Sequence, residues 1–536
     1  MVAGHNWMFS YGCFHAFYWI EYVATYFWRS LNQLRVSLNK KQYLFVSFIA
    51  LFSLTFFLTY YPTANDGPRG IHQWAQADRL AVCLRYIDGK SLNDPATLSF
   101  KTPYGNVGVE FSGFQYVLAQ IVKSGYPEEW LPFLFKITTF ILFFTALFFL
   151  SFQVLNKEKI LYRSAIFIGL LSSPLLIYYG YNFLPDILAL TLLLWAFYFY
   201  FWDFNKYIFI ILLLSGLSMF IKTSSGIYLI SFYGIFFLNN IKKINPKLIF
   251  TTIVFFTIVS FIAYYDYFLV NQRNIELYSV VFLSSPIPVS SWDEFITIFD
   301  VARRFRFDYF NGIQRILLCI LILFLIINFK KPVLNKYDLK LTFLIFLGLL
   351  SIILLFGSQY MNHDYYFIGS FMPIILFLSL KCIAYFSQYI QPRTSMILAL
   401  CFALVSFSQG NTRYFQRISE IVKINGNPEP YPFKWIENSK DKVEPYLEKE
   451  DLVFVTYVPE PNHSLVYLRR NGATFNAEEM SRDKSPFNYY MERLGAKFVI
   501  CKTEDLEQLK IDQPEFLAKS NVKYKDQDLI LFYYEH

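Results

Sequence analysis

Eleven long apolar runs restrict what this chain can fold into. A bilayer core is crossed by about 20 apolar residues in a helix, and a soluble core cannot bury so many such runs. The sequence therefore predicts a polytopic α-helical membrane protein with about eleven transmembrane helices. The runs lie near 43–61, 131–154, 164–180, 185–202, 207–221, 226–239, 248–269, 313–329, 341–357, 367–385 and 394–409.

Composition agrees with this class and excludes others. Only 16% of the 536 residues are charged, against about 25% in soluble domains. The net charge of +8 is spread over connections and forms no compact basic domain, which argues against nucleic-acid binding. The six cysteines form no CxxC or metal-like spacing and are predicted to pack as small apolar residues. They are Cys13, Cys83, Cys319, Cys382, Cys401 and Cys501.

Basic residues recur in every second connection between the apolar runs. Since Lys and Arg collect on the cytoplasmic side, this pattern predicts a cytoplasmic N-terminus in the cell (inner) membrane. An odd number of spans then places the C-terminal residues on the extracytoplasmic, or periplasmic, side. The basic residues are Arg35, Lys40, Lys41, Lys157, Lys159, Arg163, Lys206, Lys242, Lys243, Lys247, Lys330, Lys331, Lys336, Lys340 and Arg393.

Three regions follow from these patterns. Residues 1–42 are predicted to be a cytoplasmic or interfacial segment, residues 43–409 the transmembrane domain, and residues 410–536 a soluble extracytoplasmic domain. In the last region, short buried strands alternate with helical stretches, which is typical of a small α/β domain with a mostly parallel sheet. The predicted strands are 451–458, 496–502 and 528–534, and the helical stretches lie near 440–449, 477–494 and 503–519.

The first outer loop, residues 62–130, carries the densest group of polar side chains. A short helix lying on the membrane would hold Asp78 near the outer water boundary, where a carboxylate can accept a proton from a hydroxyl. Arginines beside it could pair with a phosphate. A solvated loop with a surface ion pair would also explain the pattern. The candidate residues are Asp66, Arg69, His72, Gln76, Asp78 and Arg79.

Further candidates lie in other outer connections. Glu110 could bind a sugar hydroxyl, although a charge at the membrane edge would look the same. Asp186 begins a helix, where capping alone would explain it, and Lys222 ends the fifth span, where it could snorkel or meet a lipid phosphate. The late outer turn contains His363, Asp364 and Tyr365. One His and one Asp are too few for a metal site, and an interfacial polar turn is the alternative.

An amphipathic stretch near 291–312 contributes positive charge. Its apolar side and its arginines suit an anionic headgroup or a lipid diphosphate, and a plain interfacial anchor is the alternative. The arginines are Arg303, Arg304 and Arg306.

The coincidence of these sites is more informative than any one of them. Three outer connections bring carboxylates to one face, and two outer segments bring cations. Few charges occur in the middle of a span, where each would cost about 3 kcal/mol. The pattern therefore favours a reactive site on the outer face over a buried ion pathway.

These features together resemble the GT-C membrane glycosyltransferases, in particular the branch of the protein O-mannosyltransferases and the lipid A aminoarabinose transferase (glycosyltransferase family 39-like). The resemblance covers about 43–409. It depends on the order along the chain of QADRLA, the EF of GVEFSGFQY, the turn NFLPDILAL, FIKT at the end of the fifth span and the late HDYYF turn.

The resemblance implies an enzyme that transfers a hexosyl or pentosyl group from a polyprenyl-phosphate donor to a glycan, lipid or protein acceptor, with inversion. Asp78 matches the first-loop base of the family. Relatives commonly have two adjacent acidic residues there, whereas this chain has Gln76 and Ala77, so Asp66 stays an alternative. Lys222 and the three arginines would hold the donor phosphate. No metal or other cofactor is required by this scheme, although some distant relatives use a divalent ion.

Two other classes of protein compete with this interpretation. A transporter or a flippase for lipid-linked glycans would have broken helices and ionisable residues near the midplane. Pro174 breaks the third span, but carboxylates are lacking there. A non-catalytic scaffold would leave the outer carboxylates unconnected, whereas the enzyme hypothesis requires Asp78, Asp364 and Lys222 to line one outward cavity. A ligase that moves an entire glycan would share the same outer face.

Overall fold

The computed structural model forms two compact units, Met1–Ser53 and Leu54–His536. Of the first unit, the structure describes residues 40–53, which belong to the helix Lys40–Thr55. Every contact discussed below lies within the second unit. The described residues are 40–242, 245–272, 288–303, 306–327, 333–419, 422–424, 427–429, 434–481 and 486–535.

Helices make up most of the region before residue 419. Each predicted apolar run overlaps a helix within the described residues. Six helical segments there are long and apolar enough to cross a membrane, so the predicted count of about eleven crossings is not confirmed. The six are Lys41–Thr63, Glu128–Val154, Asp186–Ile221, Pro246–Val270, Lys336–Gly357 and Pro392–Ile418, and shorter apolar helices are Ile160–Leu171, Gly312–Leu323 and Met372–Phe386.

The 36-residue segment Asp186–Ile221 is two helices folded back on each other. Its backbone becomes extended at Asp203. The Ser218 hydroxyl donates a hydrogen bond to the Ala189 carbonyl at 2.9 Å, whereas a straight helix would separate these residues by about 43 Å. Two antiparallel helices thus replace one long one, as predicted from runs 185–202 and 207–221, and both Asp186 and Lys222 come to the same end.

Pro174 interrupts the third apolar run, as predicted. Helix Ile160–Leu171 ends before it, and a short helix, Pro174–Tyr179, begins with it. Proline lacks the backbone N–H for an interior helical bond and disfavours helical geometry in the preceding residue. Ser173 accordingly has an extended ψ of 130°. The short helix carries Tyr178 and Tyr179 towards the first outer loop.

The first outer loop folds around the helix Gln73–Ile87, here named the first-loop helix. Helix Gly113–Lys123 packs against one side of it, and helix His463–Leu468 of the C-terminal region packs against another. Asp78 is therefore only 5% exposed. The C-terminal region covers the helix face that carries Asp78, which the sequence did not predict.

The C-terminal region contains a five-stranded sheet, whose strands lie in the order β4 (Gly472–Phe475), β3 (Val453–Thr456), β5 (Phe498–Lys502), β7 (Leu529–Tyr534) and β6 (Ser520–Lys525). Pairings β3–β4 and β3–β5 are parallel, whereas β5–β7 and β6–β7 are antiparallel. The prediction of a mostly parallel sheet was thus half right, and the three predicted strands are confirmed. The strands are β1 Val422–Ile424, β2 Asn427–Glu429, β3 Val453–Thr456, β4 Gly472–Phe475, β5 Phe498–Lys502, β6 Ser520–Lys525 and β7 Leu529–Tyr534.

Sequence patterns missed β4 because its sequence, GATF, forms no apolar run, and β6 because it is a polar, largely exposed edge strand. Short helices occupy all three predicted helical stretches. The helices around the sheet are Lys434–Glu437, Lys440–Val443, His463–Leu468, Ala477–Ser481, Pro486–Leu494, Leu506–Asp512 and Pro514–Ala518. The remaining helices earlier in the chain are Gly226–Asn240, Trp292–Ala302, Arg306–Tyr309 and Tyr366–Ser370.

The first outer loop also joins the sheet directly. The Gly472 N–H donates to the Leu98 carbonyl at 3.0 Å, and the Phe100 N–H donates to the Gly472 carbonyl at 2.6 Å. A side chain at Gly472 would place its Cβ 1.8 Å from the Val453 carbonyl oxygen, so this close approach requires glycine. The C-terminal sheet and the first-loop helix are consequently held in one arrangement.

Candidate active site

Lys222 lies between two carboxylates at the end of the helical hairpin. Its ammonium is 2.9 Å from Glu110 and 3.3 Å from Asp186. Arg79 of the first-loop helix forms an ion pair with the other oxygen of Glu110. These four residues, named here the Lys222 cluster, come from three separate parts of the chain. With all four ionised, the cluster has no net charge.

Burial and pairing set the protonation of the Lys222 cluster. Burial alone would raise the pKa of Glu110, but the charges of Lys222 and Arg79 outweigh it and hold that pKa below its usual value. Burial likewise disfavours a charged Lys222, and the two carboxylates reverse the effect and raise its pKa well above the usual value. The ring of Tyr366 lies 4.5 Å from the ammonium and adds a cation–π contact.

Asp364 anchors a second buried group, named the Asp364 cluster. Its carboxylate contacts His72 Nε2 at 3.2 Å, accepts a hydrogen bond from the Tyr179 hydroxyl at 2.6 Å and pairs with Arg417 at 2.7 Å. Arg417 also contacts Asp308 at 3.2 Å. Although burial disfavours its charge, the positive charge of Arg417 and the contact with His72 hold the pKa of Asp364 well below its usual range.

Three members of the Asp364 cluster were missed by the sequence analysis. Arg417 follows the predicted end of the last span, yet the helix Pro392–Ile418 continues through it. Arg417 lies three residues after Tyr414, and this helical spacing was the available signal that the helix continues. Nothing in the local sequence of Tyr179 or Asp308 indicated a contact with Asp364, because these contacts are set by packing.

Tyr365 connects the two clusters. Its ring centroid lies 5.1 Å from that of His72 and 5.5 Å from the Lys222 ammonium. The neighbouring His363 packs its ring 5.7 Å from Trp74 of the first-loop helix. Tyr365 therefore lies against a member of each cluster.

Asp66 lies in another part of the first outer loop, before the first-loop helix. It pairs with Arg69 at 2.7 Å. Gln76 fixes the loop by donating to the carbonyls of Arg69 and Ile71, both at 3.1 Å. Gly70 has a φ of +78° and lies against the Arg417 carbonyl, where a Cβ would not fit. A small pocket adjoins these residues; its lining includes Asp66, Arg69, Gln76, Lys136, Tyr178, Tyr181 and Asn182.

Asp78 points away from both clusters. Whereas Gln76 and Arg79 face the membrane-domain side, Asp78 accepts a hydrogen bond from the Asn462 amide at 2.8 Å. Burial raises the pKa of Asp78 to about 7, and the Asn462 hydrogen bond and the charge of Arg79 offset part of that rise. Its carboxyl group thus titrates near neutrality, one residue from the Lys222 cluster.

The arginines near 303 lie at the surface. Arg303 is exposed and 3.8 Å from Asp300, and Arg306 is exposed beside Phe307. Arg304 lies outside the described residues. No described contact joins Arg303 or Arg306 to either cluster. Among the described residues, no three His, Cys, Asp or Glu side chains are grouped so as to hold a metal ion.

The architecture is shared with solved membrane enzymes. The aminoarabinose transferase ArnT from Cupriavidus metallidurans, bound to undecaprenyl phosphate, aligns with a TM-score of 0.57 at 8% identity, over 90% of this chain and 97% of ArnT. An oligosaccharyltransferase from Archaeoglobus fulgidus in the apo form aligns with a TM-score of 0.52 at 10% identity, over 87% of this chain and 70% of the other. No protein-family model and no curated protein sequence matches the chain. The chain therefore has the GT-C fold of membrane glycosyltransferases.

Proposed function

We propose that this protein is a membrane glycosyltransferase that moves a sugar from a polyprenyl-phosphate donor to an extracytoplasmic glycan, lipid or protein. The observation that carries the proposal is the position of Asp78: a buried carboxyl group whose pKa is raised to about 7, next in sequence to Arg79 of the Lys222 cluster, in the first outer loop of a GT-C fold. The undecaprenyl phosphate bound to ArnT supports the donor class.

Asp78 is a better candidate for the general base than Asp66. A base works best when its pKa lies near the working pH, and the raised pKa of Asp78 meets this condition. Its hydrogen bond comes from a neutral amide. Asp66, in contrast, is ion-paired with Arg69, and that pairing would have to break before Asp66 accepted a proton.

The proposed reaction is a single displacement. The acceptor oxygen or nitrogen attacks the anomeric carbon while Asp78 takes its proton, and the bond between that carbon and the phosphate oxygen breaks. The electron pair leaves with the lipid phosphate, and the anomeric centre is inverted. A phosphate is a good leaving group, so nearby cations can stabilise its charge without a strong acid.

We assign the first contact with the donor phosphate to the surface arginines. Arg303 and Arg306 are exposed, so a lipid headgroup can reach them without breaking a buried ion pair. Lys222 is only 4% exposed and already shared by Glu110 and Asp186. A phosphate that approached Lys222 alone would meet a cluster with no net charge.

We assign recognition of the sugar to the two clusters. Carboxylates accept hydrogen bonds from sugar hydroxyls, and guanidinium and ammonium groups donate them. Glu110, Asp186 and Arg79 would serve on one side, with His72 and Asp364 on the other and Tyr365 between them. Their mutual ion pairs hold these groups in position before a substrate arrives, which lowers the cost of binding.

A donor-consumption assay tests the proposal. The purified protein in lipid nanodiscs is incubated with a panel of synthetic undecaprenyl-phosphate hexoses and pentoses and a membrane fraction from a strain that lacks the gene. Release of undecaprenyl phosphate is followed by mass spectrometry. We expect one donor to be consumed, and Asp78→Asn to abolish consumption. A donor that crosses vesicle membranes without being consumed would overturn the proposal in favour of a flippase.

We also propose that the protein lies in the inner membrane with a cytoplasmic N-terminus and a periplasmic C-terminal domain. The contacts between the first outer loop and the C-terminal sheet require both to be on one side. Reporter fusions after residue 536 and in the connection near Lys206 test the orientation. Alkaline phosphatase should be active at the first position and inactive at the second, and the reverse result would contradict the proposed topology.

A further inference from the structure

The Asp78 carboxylate is held by a residue of the C-terminal domain. Asn462 lies between β3 and the helix His463–Leu468 and is 1% exposed. Its Nδ2 donates to Asp78 Oδ1 at 2.8 Å. On the other side, its Oδ1 accepts a hydrogen bond from the Ser99 backbone N–H at 3.1 Å. Asn462 therefore connects Asp78 with the backbone of the first outer loop.

These two hydrogen bonds fix the orientation of the Asn462 amide. A backbone N–H can only donate, so the oxygen of Asn462 must face Ser99 and its NH₂ group must face Asp78. The NH₂ group in turn fixes one oxygen of the Asp78 carboxylate as an acceptor. A base whose direction is set by a third group in this way is typical of activated catalytic pairs.

The segment that carries Asn462 is anchored at several points. His463 Nε2 lies 3.1 Å from the Pro68 carbonyl, and the Tyr467 hydroxyl donates to the same carbonyl at 3.0 Å. The Thr474 hydroxyl of β4 donates to the Glu460 carbonyl at 3.0 Å. Because the anchors reach both the first outer loop and the sheet, the position of Asn462 is set before any substrate binds.

Glu460, two residues before Asn462, adds a second carboxyl group. Its side chain is largely buried, and its Oε2 has no hydrogen-bond partner among the described residues. Burial raises the pKa of Glu460 to about 7, and the negative charge of Asp78 adds to the rise. A second buried carboxyl oxygen thus lies in the segment that carries Asn462.

We propose that Asn462 is a positioning residue that orients the carboxylate of Asp78, and that the C-terminal domain thereby completes the active site. This inference rests on the proposed role of Asp78 as the base. A purely structural contact between domains is the competing explanation, and the titration of Asp78 distinguishes the two.

The first test needs no turnover. Dicyclohexylcarbodiimide, which modifies protonated carboxyl groups in apolar surroundings, is reacted with the full-length protein over a range of pH, and labelling of Asp78 is measured by peptide mass spectrometry. Asn462→Ala should shift the labelling midpoint to higher pH, because the hydrogen bond that this substitution removes stabilises the ionised form of Asp78. Asn462→Ser, which keeps a short donor, serves if the alanine variant does not fold.

Asn471→Ala is the matched control. Asn471 also belongs to the C-terminal domain and contacts the first-loop helix, accepting a hydrogen bond from Arg85 at 3.2 Å. Its loss should leave the Asp78 midpoint unchanged. Absence of Asp78 labelling in the neutral range, or an equal midpoint in wild type and Asn462→Ala, would overturn the inference.

The second test uses turnover of the donor found in the consumption assay. Asn462→Ala should lower kcat roughly ten- to a hundredfold, as expected for a hydrogen bond to a charged group, and leave KM for the donor nearly unchanged. A shifted Asp78 midpoint in Asn462→Ala, together with a fully active Asp78→Asn protein, would refute the role of Asp78 as the base. The contact between Asn462 and Asp78 would still be established. A lowered kcat without any shift in midpoint would refute the positioning role alone.

Discussion

Lys222 and Glu110 are 112 positions apart in the chain, yet the Lys222 ammonium lies 2.9 Å from the Glu110 carboxylate in a buried site. Lys222 follows the second helix of a hairpin, and Glu110 precedes the helix Gly113–Lys123. Asp186 and Arg79 extend the pair into a balanced cluster. The pair therefore ties the first outer loop to the membrane helices at the candidate site.

Removing the ammonium group of Lys222 should destabilise the protein strongly. Lys222→Met leaves Glu110 and Asp186 buried with only Arg79 to balance them, and breaking a buried pair costs about 3–5 kcal/mol. The double variant Lys222→Met/Glu110→Gln should recover part of this loss. Thermal unfolding in detergent gives the comparison, with the exposed Lys206→Met as a control. Equal stability of wild type and Lys222→Met would show that the pair contributes nothing.

Paired substitutions show whether Asp78 or Asp66 is the general base. Asp78→Asn should lower the rate of donor consumption by roughly a hundredfold to ten-thousandfold, the usual contribution of a general base. Asp66→Asn should reduce it far less, since Asp66 is engaged with Arg69. Circular dichroism and size-exclusion profiles establish that both variants fold. A larger loss for Asp66→Asn would move the base to Asp66.

Activity should rise with pH through neutrality. A base works in its deprotonated form, and the pKa of Asp78 is raised to about 7 by burial. The kcat/KM of the wild type should therefore increase as pH rises through about 7 and then level off. Initial rates across this range provide the measurement. A profile that is already flat well below neutrality would exclude Asp78 as the titrating base.

The surface arginines should affect donor affinity more than chemistry. Arg303→Gln/Arg306→Gln removes two exposed cations that are proposed to meet the lipid phosphate, so KM for the donor should rise severalfold with a smaller change in kcat. The matched control is Arg393→Gln, since Arg393 is an exposed arginine at the start of the helix Pro392–Ile418. If the Arg303→Gln/Arg306→Gln protein shows the same KM as the wild type, the phosphate is bound elsewhere.

His463 should make the protein sensitive to acid. Burial lowers the pKa of His463 from 6.5 to about 4, so below pH 6.5 the unfolded chain binds more protons than the folded one. Stability should therefore fall between pH 6.5 and 4, by about 3 kcal/mol from this residue. His463→Gln should reduce the pH dependence of the unfolding temperature in that range. An unchanged slope would show that His463 does not contribute.

The sequence predicted well where a feature depends on local patterns. Apolar runs located the helices, and Pro174 located a break. Strands β3, β5 and β7 were found because each is a short buried apolar run, whereas β6 was missed because its exposed side chains carry no such pattern. The sequence also placed Asp78, Lys222 and Asp364 among the candidates from their positions in outer connections.

Only the tertiary structure decided how these residues are paired. Local sequence cannot show that Arg417 meets Asp364, that Arg79 meets Glu110, or that Asn462 turns Asp78 away from the clusters and towards the C-terminal domain. Burial, and with it the raised pKa of Asp78, arises from contacts between segments nearly 400 positions apart. The sequence by itself determined the membrane class and the chemical groups available, because both depend on local composition. The structure decided which carboxylate is paired and which is free to titrate, because that depends on packing.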